Sequence, residues 1–125
     1  MKIRIKGDSI RLRLTKKEVD TLVQDGKVSE STQFTVNNSF TYSIIASDIE
    51  DINAEVNDQS ISVYISKNKL VDWDINNVVG FNHTIDNGNQ EGLYLLIEKD
   101  FKCLTPRERE NEEDHYENPL TEHTC

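Results

Sequence analysis

The chain has few of the residues and none of the runs that announce common functions, and each shortage removes a class. Its two cysteines, Cys103 and Cys125, both fall in the C-terminal quarter and far from each other. That spacing makes neither a disulfide framework nor the close pairs of a zinc site, so reduced thiols are expected. No apolar run approaches the roughly 18 residues of a membrane-crossing helix. Met1-Lys2 leads at once into an alternating pattern without the apolar stretch of a signal peptide, so a cytoplasmic protein with no membrane partner is expected. With only two prolines and five glycines, and no Gly-Ser-rich or Pro-rich linker, nothing divides the chain. Its length suits one core, and a single α+β domain over residues 1–104 is expected, followed by an acidic segment at 105–125, partly ordered or flexible.

Catalytic and cofactor signatures are missing as well. There is no Gly-x-Ser-x-Gly elbow, phosphate-binding Walker loop or dinucleotide-binding glycine fingerprint. Cys103 beside Lys102 is the one interior thiol, and His83 has no recognisable nucleophile to serve. No catalytic residue and no cofactor are assigned. The tail gathers metal-binding residue types in Glu112, Glu113, Asp114, His115, Glu117, His123 and Cys125, but with no known ligand spacing. Asp72-x-Asp74-x-Asn76 opens like a calcium loop, yet Asn77 stands where the sixth-position glycine is needed and His83 where the bidentate glutamate is needed. No metal site is expected.

What is present is a segregation of charge. The net charge of −9 argues against non-specific nucleic-acid binding. Residues 1–17 nevertheless carry Lys2, Arg4, Lys6, Arg11, Arg13, Lys16 and Lys17 against Asp8 alone, whereas the last quarter is strongly acidic. The basic residues alternate with Ile3, Ile5, Ile10, Leu12 and Leu14 on either side of Gly7-Asp8, which predicts a β-hairpin. A two-residue loop sets Ile5 opposite Ile10, Arg4 opposite Arg11 and Lys2 opposite Arg13. Like charges facing each other across a hairpin are unfavourable by a few tenths to about 1 kcal/mol per pair. They must be met by water, by the acidic tail, by an acidic protein partner or by a small anion. Lys2, Arg4, Arg11 and Arg13 are therefore the candidate ligand-binding residues; no aromatic residue interleaves with them in 1–17, as nucleic-acid recognition would favour.

Beyond the hairpin, Thr15-x-x-Glu18 is a capping box, Val19, Leu22 and Val23 form an apolar stripe, and Gly26 is a natural stop. A packing helix is predicted at about 16–25. Strands are predicted at Gln33–Val36, Thr41–Ala46, Ala54–Val56, Ser60–Ile65, Phe81–Ile85 and Leu93–Glu98, with a candidate second helix capped by Ser66 that runs past Trp73 to about 74–77. Leu93 to Ile97 is apolar on both faces, which marks either a central strand covered on both sides or a strand whose second face is covered by the tail. No internal repeat is evident. The fold expected is α+β, an antiparallel sheet of hairpins under one main helix.

The opening MKIRIKGDSIRLRLT with Glu18-Val19, and LIEKDFKCL at 96–104 leading to Asn118-Pro119, resemble the two ends of a family of short bacterial proteins of unknown function. That resemblance implies a bacterial cytosolic protein and carries no site. The alternating basic strand is similar in charge pattern to the triphosphate tunnel enzymes, but their Glu-x-Glu-x-Lys strand is here Lys2-Ile3-Arg4-Ile5-Lys6, which lacks the metal-binding acids. The function expected is that of a non-enzymatic interaction or accessory protein with a basic hairpin face. The alternative is a small enzyme or a binder of phosphorylated or anionic ligands.

Overall fold

The alternation at the start of the chain becomes a hairpin in the computed structural model of the protein, which describes residues 1–101. Strands β1 (Lys2–Ile5) and β2 (Ser9–Leu14) pair with Lys2 against Arg13, Ile3 against Leu12, Arg4 against Arg11 and Ile5 against Ile10. This is the register that puts the apolar residues of both strands on one side. Gly7 holds the turn at φ 53°, a conformation open to glycine at little steric cost.

Helix α1 (Lys16–Asp25) starts at the capping box: the Glu18 amide donates to Thr15 Oγ1 at 3.3 Å and the Thr15 amide donates to Glu18 Oε1 at 2.9 Å. It ends where Gly26 adopts φ 77° and its N–H donates to the Leu22 carbonyl at 2.9 Å. The chain continues as β3 (Lys27–Thr35), β4 (Asn38–Ser47), β5 (Asn53–Asn57), β6 (Ser60–Ser66), α2 (Lys67–Leu70), β7 (Gly80–Ile85) and β8 (Leu93–Lys99). The second helix is shorter than predicted. Val71 leaves it with extended backbone and Asp72 turns to φ 60°, which ends the helix before Trp73.

The α+β class holds, but the expected single antiparallel sheet does not. There are two four-stranded mixed sheets, ordered β1-β2-β8-β7 (sheet A) and β3-β4-β6-β5 (sheet B). Each joins two antiparallel hairpins through a parallel central pair, β2 with β8 and β4 with β6. Parallel neighbours need a long connection. For β2 and β8 it consists of α1, the whole of sheet B, α2 and β7.

This topology exposes a duplication that the sequence reading missed. The chain is a hairpin–helix–hairpin unit (β1β2α1β3β4) followed by a second one (β5β6α2β7β8), and each sheet takes one hairpin from each unit. The equivalence extends to single hydrogen bonds. Tyr94 N–H donates to Asp8 O at 2.9 Å as Thr41 N–H donates to Gln59 O at 3.0 Å, and Lys99 N–H donates to Val79 O as Ala46 N–H donates to Gly26 O. With the units aligned, Ser9-Ile10 recurs as Ser60-Ile61, Leu12 as Val63, Leu14 as Ile65, the cap Thr15 as Ser66, Val19 as Leu70 and Leu22 as Trp73. The positions kept are mainly inward or capping ones. Outward positions differ, which hides the repeat from inspection of the sequence.

The inward faces of both sheets and the buried side of α1 form one hydrophobic cluster, centred on Leu12, Leu14, Leu22, Ile44, Val63, Ile65, Trp73, Leu95 and Ile97. Trp73 is fully buried, its ring 5.0 Å from that of Phe81, and its Nε1–H donates to the Val78 carbonyl at 2.8 Å. The interior is thus filled with apolar side chains. The basic residues of the hairpin lie on the opposite face, so the charge pattern shared with the tunnel enzymes does not line a tunnel here. Among the described residues no helix is long and apolar enough to cross a membrane.

Candidate functional site: the outer face of sheet A

Because the side chains of a strand alternate, the pairings across sheet A set its outward residues in rows. The first row is Lys2, Arg13, Glu98 and Gly80; the second is Arg4, Arg11, Leu96 and Asn82; the third has Ser9, Tyr94 and Thr84, with Lys6 beyond Ile5 at the mouth of the hairpin. All four predicted residues therefore share one face, and they divide into two groups.

Lys2 and Arg13 sit at the neutralised end. Arg13 Nε donates to Glu98 Oε2 at 3.1 Å, and Lys2 Nζ lies 3.4 Å from Asp100 Oδ2. Arg11 Nε approaches the same Glu98 oxygen at 3.3 Å, an ion pair without hydrogen-bond geometry, and Arg11 is twice as exposed as Arg13 (38% against 19%). Arg4 and Lys6 are exposed and make no ion pair among the described residues. Part of the charge is thus met by strand β8 and its exit, an acidic source that the sequence reading did not consider. The acidic tail proposed for that role, together with Cys103 and the tail residues weighed as metal ligands, lies outside the described residues.

At the open end a depression of about 200 Å³ is lined by Arg4, Lys6, Ser9, Ile10, Arg11 and Tyr94. Ser9 Oγ donates to the Lys6 carbonyl at 2.7 Å, and the Lys6 amide donates to the Ser9 carbonyl at 3.1 Å, which fixes the turn under the lysine. The carboxylate of Asp8, the acid nearest in sequence, accepts a hydrogen bond from the side-chain Nδ2 of Asn89 in the β7–β8 loop. The volume is below that of most drug-sized pockets but adequate for one small anionic group. Lys6, Ser9, Tyr94 and Glu98 were not assigned from the sequence. Lys6 continues the basic alternation and was open to detection; Tyr94 and Glu98 arrive through a parallel pairing between segments far apart in the chain.

A second charged cluster is structural. The Met1 ammonium contacts the Glu18 carboxylate and lies 2.6 Å from Glu30 Oε1, and Tyr42 Oη donates to the Met1 carbonyl at 3.1 Å. Burial alone would lower the pKa of this amine, but the hydrogen bonds and charges of Glu18 and Glu30 outweigh it and raise the value above 8.0. Burial would likewise raise that of Glu18, yet the ammonium and the Thr15 hydrogen bonds bring it below 4.5. The cluster ties β1, α1, β3 and β4 together. His83, weighed as a base, has its Nε2 4.0 Å from Asp51 Oδ2, and no group of three or more metal-binding side chains forms among the described residues.

Comparison with known proteins adds family membership and no activity. No curated protein and no solved structure matches the chain. The model of one family, described as a family of unknown function, matches residues 1–120, almost the whole chain and both ends of the resemblance noted above; the protein belongs to that family, DUF7009.

Proposed function

We propose that this protein is a non-enzymatic interaction protein that captures an anionic group of its partner on the outer face of sheet A, with Arg4, Arg11 and Lys6 as the contacting residues and Lys2 and Arg13 as the flanking charge. The observation that carries this reading is the inequality of the two repeats. In sheet B, the positions equivalent to Lys2, Arg4, Lys6, Arg11 and Arg13 are Asn53, Glu55, Asn57, Ser62 and Tyr64, and Tyr64 Oη donates to Glu55 Oε2 at 2.9 Å. The same scaffold in the same register thus works without basic residues at these five positions and without like charges face to face. Arg4 against Arg11 is therefore not a demand of the fold, and it carries a cost that an anion would relieve.

Titration with pyrophosphate and, separately, with a hexaglutamate peptide tests the reading, with thermal melting and backbone amide shifts as readouts. A ligand at 100 times its Kd stabilises by about 2.7 kcal/mol, a shift of several degrees for a chain of this size. The amides of β1 and β2 are expected to move, and the Arg4→Ala, Arg11→Ala double variant is expected to bind at least tenfold more weakly. A wild-type protein that responds to neither anion would overturn the reading.

A further inference from the structure

We infer that the depression beside Tyr94 takes a single phosphoryl group, and that Arg11 reaches it by exchanging Glu98 for the ligand. The inference rests on the anion-binding reading above and names both the ligand class and the residue that controls access to it.

The ligand class follows from the cations and the space. Arg4, Lys6 and Arg11 converge on a recess of about 200 Å³ that also presents the Tyr94 ring and the edge of Ile10. A carboxylate carries one charge over two oxygens and is satisfied by one arginine. A phosphoryl group carries nearly two charges over three oxygens, enough to occupy two guanidinium forks and an ammonium at once. Two opposed arginines are relieved more fully by a dianion than by a monoanion. The exposed Tyr94 ring gives an apolar wall on which a substituent of a phosphate ester can rest.

The exchange follows from how Glu98 is shared. Its Oε2 receives the hydrogen bond from Arg13 and only a charge contact from Arg11. If Arg11 leaves, Glu98 stays paired with the less exposed Arg13, so neither the acid nor the buried side of the row is orphaned. The contact given up is a partly exposed ion pair, which is weak. Glu98 therefore lowers phosphoryl affinity in two ways: it competes for Arg11, and it places a negative charge beside the site. The equivalent residue in the other repeat, Ile45, lacks the charge altogether.

The test uses the full chain with phenyl phosphate and benzoate, which share a ring and differ in the acid, on the wild type, Glu98→Gln, Arg11→Ala and the double variant. Phenyl phosphate is expected to bind at least tenfold more tightly than benzoate. Glu98→Gln, which keeps an acceptor for Arg13, is expected to tighten phenyl phosphate binding about two- to fivefold. Most of that gain should vanish on the Arg11→Ala background. The Nε–H resonance of Arg11 should shift on binding while that of Arg13 holds. Equal affinity for benzoate would overturn the phosphoryl assignment, and a gain that persists undiminished without Arg11 would overturn the exchange, each leaving the broader anion-binding reading in place. If no anion binds, both fall together.

Discussion

At the scale of single residues, the charged groups of this protein do two kinds of work, separable by the structure around them. Glu18 closes the capping box of α1 and also holds the Met1 ammonium, with Glu30 on its other side. The pKa directions fix the pH window of this contact. The amine is raised on folding, so its contribution is full below the unfolded value near 8.0 and is lost as the pH climbs through the folded value. Glu18 is lowered, so its contribution is present above 4.5 and is lost as the pH falls through its folded value. A Glu18→Gln variant keeps a side chain able to complete a capping box and loses only the charge. Urea denaturation should find it less stable than the wild type by about 1–3 kcal/mol near pH 6.5, with the gap narrowing steadily above pH 8. A gap that stays constant to high pH would assign the loss to the cap and not to the ammonium. Arg4 and Arg11 belong to the other kind: nothing in the scaffold requires them, as Glu55 and Ser62 at the equivalent positions demonstrate.

At the scale of elements, β7 decides how firmly Glu98 is presented. Gly80 faces Glu98 across the strand pair, and a methyl group there would strike the Ile97 carbonyl and lie 2.9 Å from the Glu98 Cα, both of them backbone. Gly80→Ala is accordingly expected to push β7 off β8 and to cost about 1–3 kcal/mol, with faster amide exchange at Phe81 and Ile97 as the local sign; unchanged exchange there would mean that β7 has room to yield. The legibility of elements tracks how local their determinants are. The first hairpin and α1 were readable to the residue, because alternation, turn and caps lie within a few positions of one another. By contrast the sequence predicts a strand only at Gln33–Val36, whereas β3 runs from Lys27 to Thr35. Of its residues only Val28 is buried, so this edge strand has no alternation of hydrophobicity to read. The parallel pairs β2/β8 and β4/β6 leave no local signal, and it is β2/β8 that brings Tyr94 and Glu98 to the candidate site.

At the scale of the whole molecule, the duplication explains both the fold and the difficulty of reading it. Each unit gives one hairpin to each sheet, so neither half of the chain contains a complete sheet, and the inward residues of all four hairpins meet in one cluster. Selection for packing kept Leu12 like Val63 and Leu14 like Ile65, while the outward rows diverged into a basic face and a face made mostly of serines, threonines and amides, with Glu55 and Tyr64 where sheet A has Arg4 and Arg13. A module whose sheets are interleaved in this way should unfold as a unit. Leu12 and Val63 occupy equivalent, almost fully buried positions in different sheets. Leu12→Ala is expected to cost about 2–5 kcal/mol and Val63→Ala somewhat less, in proportion to the smaller volume removed. In either variant the loss should appear in one transition, with Trp73 fluorescence and far-ultraviolet circular dichroism superimposing through the denaturant range. Hydrogen exchange should then report the same lowered stability for the slowest amides of β4 and β8, whichever sheet carries the substitution. If instead Leu12→Ala loosened sheet A and left the slow amides of sheet B at their wild-type protection, the shared core would not couple the two sheets, and the repeats would have to be treated as separate folding units.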